Sequence, residues 1–139
     1  MEALIDRWGA TGSDSFRLRA RTENDNFLLC HQTDWQRRLL CMYGSMTLLD
    51  ATYRTTKYSM PLFFLCVRTN VCYTIVGSFI TQREDAASIQ EALEIFKAWN
   101  PTWEPASFIV DFSLAEINAI ESVWPGELKQ LILVITPKM

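Results

Sequence analysis

Histidine is almost missing from this chain: His31 is the only one in 139 residues. That excludes a histidine-rich metal site and any mechanism that needs two imidazoles. Cysteine pairs at metal-binding spacing are missing too. Cys30, Cys41, Cys66 and Cys72 include no C-x-x-C. They stand among apolar residues, so buried free thiols are expected in place of disulfides or a zinc site. No apolar run approaches the roughly 20 residues of a membrane span. The opening MEALIDRWGATGSDS carries acids and no apolar signal core. The expectation is a nuclear or cytoplasmic chain with no membrane partner. Positive charge is in short supply as well. Lys and Arg number 13 against 16 Asp and Glu, for a net charge of −3 and a pI near 5.1. A nucleic-acid binder draws much of its affinity from neutralising phosphate, so this balance weakens that reading. The local clusters Arg17, Arg19 and Arg21, Arg37 and Arg38, and Arg54 and Lys57 read first as ordinary solvated charge.

What is present suits one domain. The chain is 49% hydrophobic and 21% charged, and its length supports a real core. Residues 1–26 are polar, with Gly9 and Gly12, and read as a weakly structured lead-in. Within them, Phe16, Leu18 and Ala20 alternate with Arg17, Arg19 and Arg21, as in a short edge strand. Residues 27–139 form the domain proper. Phe27 to His31 is a strand that pairs back across the ENDN turn. Thr33 or Asp34 caps a helix with a stripe of Trp35, Leu39, Leu40 and Tyr43, stopped by Gly44. A strand around Asp50 follows. After a turn over Tyr53 to Ser59, Leu62 to Thr69 and Cys72 to Thr81 form an antiparallel hairpin about Asn70. Pro61 sits at a strand's first position, where it is tolerated. Glu84 to Trp99 is a helix with Ile89, Leu93 and Phe96 inward. Ser107 to Val110 is a strand ending at Asp111. Leu114 to Val123 is a helix with Ser113 as cap, and Leu128 to Ile135 is a last strand.

The stretch that asks for an explanation is Met46 to Leu62, MTLLDATYRTTKYSMPL. Asp50 lies between apolar residues on both sides, which reads as a strand covered on two faces. A carboxylate there is costly unless it is hydrogen-bonded, paired or bound to a metal. Three antiparallel strands followed by helix-linked strands make a mixed sheet with helices on its faces. In that order the ribonuclease-H-like fold leads. Its first and fourth strands lie side by side, and each carries an acid to one end of the sheet. Asp50 is on the first of these strands and Asp111 ends the fourth. Close carboxylates repel, and a divalent cation relieves the repulsion. The bland alternatives are a satisfied structural carboxylate for Asp50 and a helix cap or turn residue for Asp111.

The stretches LLDATYRTTKYSMPLFFLCVRTNVCYTIVGSFIT, AASIQEALEIFKAW and FIVDFSLAEINAIESVWPG resemble the ribonuclease-H-like core of Mutator-like (MULE) transposases. They are especially similar to host-derived relatives among SWIM-type zinc-finger proteins. TDWQRRLLCMYG resembles the helix before the first catalytic strand. The likeness spans Phe27 to Gly126. It implies a DDE core: two aspartates and a later glutamate that bind Mg²⁺ or Mn²⁺ and cut and join DNA. Asp50 matches the first acid and Asp111 the second. The family's later C-x-x-H motif and third acid have no match in LKQLILVITPKM, and Glu121 and Glu127 fall too early. The expectation is therefore a C-terminally truncated α/β domain with a vestigial metal site at Asp50 and Asp111, not catalytic alone. Two alternatives stand beside it. One is a metal-dependent nuclease or strand-transfer enzyme that receives its third acid from elsewhere. The other is a non-enzymatic nuclear interaction module, either homo-oligomeric or bound to another protein.

Overall fold

The computed structural model describes residues 15–52, 60–111, 114–125 and 130–134; the side chains of 111 and 130–134 are not included. Its elements in chain order are β1 (Ser15–Arg19), β2 (Leu28–Gln32), α1 (Asp34–Tyr43), β3 (Met46–Thr52), β4 (Leu62–Arg68), β5 (Tyr73–Thr81), α2 (Ala86–Trp99), β6 (Ser107–Asp111), α3 (Leu114–Val123) and β7 (Gln130–Val134). The strands form one mixed sheet in the order β1-β2-β5-β4-β3-β6-β7. Strands β3, β4 and β5 run antiparallel, while β6 and β7 join β3 in parallel through helical crossovers. This is the ribonuclease-H-like arrangement that the element order implies. The hairpin over Asn70 and the helix from Leu114 to Val123 stand where the sequence puts them. The turn over Tyr53 to Ser59, the Ser113 cap and Ile135 lie outside the described residues.

Local chemistry sets the helix ends. Thr33 and Gln36 form a reciprocal capping box, with Gln36 N donating to Thr33 Oγ1 at 3.1 Å and Thr33 N to Gln36 Oε1 at 2.9 Å. Asp85 caps α2 by accepting from Ser88 N at 2.8 Å. Hydrogen bonding from Ser88, first by its side chain and then by its backbone, holds the Asp85 carboxyl below the usual carboxylate range. At the sheet's outer edge, the guanidinium of Arg19 grips the Glu91 carboxylate with two bonds and ties β1 to α2.

Burial alternates along the central strands. Thr47 and Leu49 of β3, Phe63, Leu65 and Val67 of β4, and Phe108 and Val110 of β6 are buried. They face a core that includes Leu39 and Leu40 of α1, Ile89, Leu93 and Phe96 of α2, and Ala119 and Ile120 of α3. Phe63 stacks on Phe79 with centroids 4.7 Å apart, and Phe79 meets Phe96 at 6.0 Å. Gly77 leaves room for that ring, since a Cβ there would lie 2.7 Å from Phe96 Cε1.

Three local expectations are corrected. Strand β3 is not covered on both faces: Met46 and Asp50 are exposed, while Thr47 and Leu49 are buried. An apolar run in sequence became a one-sided strand because every second residue turns away from the core. Trp35 is not a core residue; it is 64% exposed. Cys41 and Cys72 are exposed and Cys66 is half-buried, so of the four thiols only Cys30 is fully buried.

Candidate metal centre

Strand β3 is set from its first residues. Gly44 follows α1 at the point where the chain must turn closely under an indole. A Cβ at Gly44 would lie 2.2 Å from Leu40 O and 2.7 Å from Trp103 Cδ1. The Gly44 carbonyl accepts from Trp103 Nε1 at 3.0 Å and from Thr47 Oγ1 at 3.0 Å. The Ser45 carbonyl accepts from Ala106 N at 2.8 Å and Ser107 N at 3.0 Å. These bonds tie the start of β3 to the start of β6. Below them, Trp103, Phe108 and Trp124 form a cluster. Trp103 and Trp124 meet edge to face at 5.0 Å, and Phe108 lies 5.2 Å from Trp124. Lys97 reaches over Trp124 and donates to the Val123 carbonyl at 3.1 Å, so the end of α3 is held as well.

The register follows from that start. In the parallel β3–β6 pair Met46 matches Ser107, Thr47 matches Phe108, Leu48 matches Ile109 and Leu49 matches Val110. One step further along both strands stand Asp50 and Asp111, the latter being the last residue of β6. Neighbouring strands lie about 4.8 Å apart, and matched residues share a face of the sheet. The two aspartate positions are therefore adjacent at the C-terminal end of the central parallel strands. Asp50 is exposed there.

The surroundings favour oxygen chemistry. Cys66 is registered against Leu48, two residues along the strand from the Asp50–Phe64 pair and on the same face. Its thiol is pushed up to about 11, first by burial and then by the negative charge of Asp50. At neutral pH it is a protonated thiol, a poor ligand. His31 lies in the same row as Asp50, through Ser78 and Phe64, but three strands away. At the usual strand spacing that is roughly 14 Å, too far to share an ion. Glu121 is exposed near the end of α3, and Glu127 lies outside the described residues. Among the described residues no group of three His, Cys, Asp or Glu side chains forms a metal cluster. Hard carboxylate oxygens at the open end of a sheet suit Mg²⁺ or Mn²⁺, which keep waters and add phosphate oxygens from a substrate.

Sequence reading singled out Asp50 and Asp111 but missed the residues that align them. Trp103 and Trp124 stand in the breaks that follow α2 and α3. The signal for them was the placement of each tryptophan beside prolines, Pro101, Pro105 and Pro125, where a bulky apolar residue in a break has no reason to be exposed.

No curated protein and no solved structure matches the chain. A family model does, that of the zinc finger SWIM domain-containing protein 1/3 RNaseH-like domain, over residues 11–128. With that match across most of its length, and a mixed sheet in the corresponding strand order, the chain belongs to the RNaseH-like domain family of zinc finger SWIM domain-containing proteins 1 and 3.

Proposed function

We propose that this domain is a transposase-derived ribonuclease-H-like core in which Asp50 and Asp111 hold a divalent cation, Mg²⁺ or Mn²⁺, and that it does not cut DNA by itself. The observation that carries the reading is the β3–β6 register, which sets the two aspartates side by side at one sheet end. A bound ion would polarise a phosphate oxygen or lower the pKa of a water. The residues of the chain supply the anchoring: two carboxylates for the ion, and the Gly44–Trp103 junction that fixes their spacing. Two features support a silent site. Two-ion stabilisation of attacking and leaving oxygens needs more donors than two aspartates provide. The net charge of −3 also slows encounter with DNA. The ancestry implied by the sequence makes DNA the ligand class and the nucleus the compartment.

The test is a supercoiled-plasmid nicking assay with Mn²⁺, run beside Asp50→Asn/Asp111→Asn. No nicking above the double variant is the expected result. Nicking that requires Mn²⁺ and disappears in the double variant would overturn the silent-site reading and establish a nuclease.

A further inference from the structure

The three helices all lie on one face of the sheet. Every buried apolar residue of α1, α2 and α3 belongs to the core, and so do the strand residues of that face, such as Leu49, Leu65 and Val110. Alternate residues of the same strands turn the other way. On that second face one row holds Leu48, Cys66 and Ile75, and the next holds Asp50, Phe64 and Ser78. None of these residues belongs to the core. Met46 and Ile75 are 45% and 44% exposed, and Leu48, Phe64 and Ile109 are half-buried. Among the described residues no helix covers this face. Seven strands of roughly 20 Å, spaced about 4.8 Å apart, span roughly 700 Å². A largely apolar face of that size marks an interaction surface. It is close to the roughly 800 Å² that each partner gives to a standard protein interface.

The placement of charge selects the occupant. The described charges on this face stand at its two ends. Asp50 is opposite Phe64, with the Asp111 position beside it, and both mark one end. Arg68 follows Phe64 by four residues on β4 and marks the other end, its guanidinium 5.9 Å from the Tyr73 ring centroid. Asp50 and Arg68 are therefore about 13 Å apart along the strands, and the Leu48–Cys66 pair lies midway. Both are exposed. Arg17 and Arg19 do not belong to this face, since they are registered with Cys30 and Leu28 on the core side. A partner of a single sign, nucleic acid included, would be attracted at one end and repelled at the other. A second copy turned end for end is matched at both, because its Arg68 comes over Asp50 and its Asp50 over Arg68. An apolar middle with charge at the rim is also the usual anatomy of an interface. A two-fold contact requires a patch that complements itself, and this face does.

We propose that two copies of this chain meet through the helix-free face of the sheet, about a two-fold axis that crosses the strands over the Leu48–Cys66 pair. The two sheets would pack about 10 Å apart, with strands within about 30° of alignment. Each copy would set its Arg68 against the Asp50 of the other.

Sedimentation of the full chain, from about 1 µM to about 500 µM, tests this. EDTA is present throughout, so the result does not depend on whether Asp50 and Asp111 hold an ion. The parent should shift from monomer to dimer as concentration rises. Ile75→Glu puts an unpaired charge into the apolar middle and should weaken the dimer about 10-fold or more. Asp50→Arg and Arg68→Asp each set like charges against each other and should each weaken it several-fold. The double variant Asp50→Arg/Arg68→Asp restores both pairs, so its dimer should be tighter than that of either single variant. That rescue separates the proposed contact from unspecific association of apolar surface. The charge variants keep the test decisive if Ile75→Glu fails to fold, because Asp50 and Arg68 are both exposed. A parent chain that stays monomeric over the whole range overturns the proposal. A dimer that a folded Ile75→Glu leaves intact overturns it too, and so does a double variant no tighter than the singles.

Discussion

The two ends of the β3–β6 pair are held in opposite ways. At the starting end, Gly44, Ser45, Thr47 and Trp103 interlock by hydrogen bonds over a buried Trp103–Phe108–Trp124 cluster. At the finishing end stands an exposed Asp50 with Asp111 in the matched position. Parallel strands cannot slip by one residue without moving every side chain to the other face. The buried end therefore decides the alignment of the acids at the open end. Accuracy at a site need not come from contacts at the site.

Substitutions can break that relation or sharpen it. The largest effect should come from Trp103→Ala, which empties the cluster and removes one of the two donors to the Gly44 carbonyl. A loss of about 3–5 kcal/mol in unfolding free energy is expected from urea titration. A loss under about 1 kcal/mol would mean the starting end does not control the pair.

Gly44→Ala comes next. Its Cβ would collide with a backbone carbonyl and an indole, so about 1–3 kcal/mol of destabilisation is expected. Thermal melts would measure it, and a neutral result would remove the close approach from the account.

Acid sensitivity is the third test, and it separates the open end from the rest of the molecule. Asp85 and Glu91 both have carboxyls lowered in the folded state, Asp85 by hydrogen bonding to Ser88 and Glu91 by hydrogen bonding to Arg19. A depressed carboxyl contributes stability that is present above its unfolded pKa and is lost as pH falls through its folded one. Stability should fall as pH drops below the ordinary carboxylate range. Asp85→Asn combined with Glu91→Gln should flatten that fall. The Arg19–Glu91 pair is partly exposed, so its share is at most about 1 kcal/mol. A fall that persists unchanged in the double variant would point to other carboxylates.

The smallest effect should come from Asp50→Asn. An exposed residue outside the core should change stability by no more than about 0.5 kcal/mol in either direction. A large gain or loss would mean that Asp50 is a structural carboxylate after all.

Much of the fold was legible because periodicity and breakers are local signals. The stripe of Ile89, Leu93 and Phe96 gave α2, and the run to Asn70 gave the hairpin. Asp50 and Asp111 were legible as positions because each interrupts or ends an apolar strand. The facing of β3 was not legible. Leu48 and Leu49 look alike in sequence, yet Leu49 is fully buried and Leu48 only partly. Trp35 was misread for a related reason. A helical stripe records spacing, not whether a neighbour arrives to cover it, and here Leu39, Leu40 and Tyr43 meet the core while Trp35 does not. The Gly44–Trp103 junction joins residues far apart in the chain, and no local pattern announces such a contact.

The account turns on whether Asp50 and Asp111 share an ion, and paramagnetic broadening by Mn²⁺ tests that directly. In amide spectra of the full chain, substoichiometric Mn²⁺ should broaden first the signals at the ends of β3 and β6, around Asp50 and Asp111. Signals near Gly44 and Ser107, at the far end of the same strands, should stay sharp. Asp50→Asn/Asp111→Asn should abolish the localised pattern. Uniform broadening, or a localised pattern that the double variant leaves unchanged, would contradict the claim.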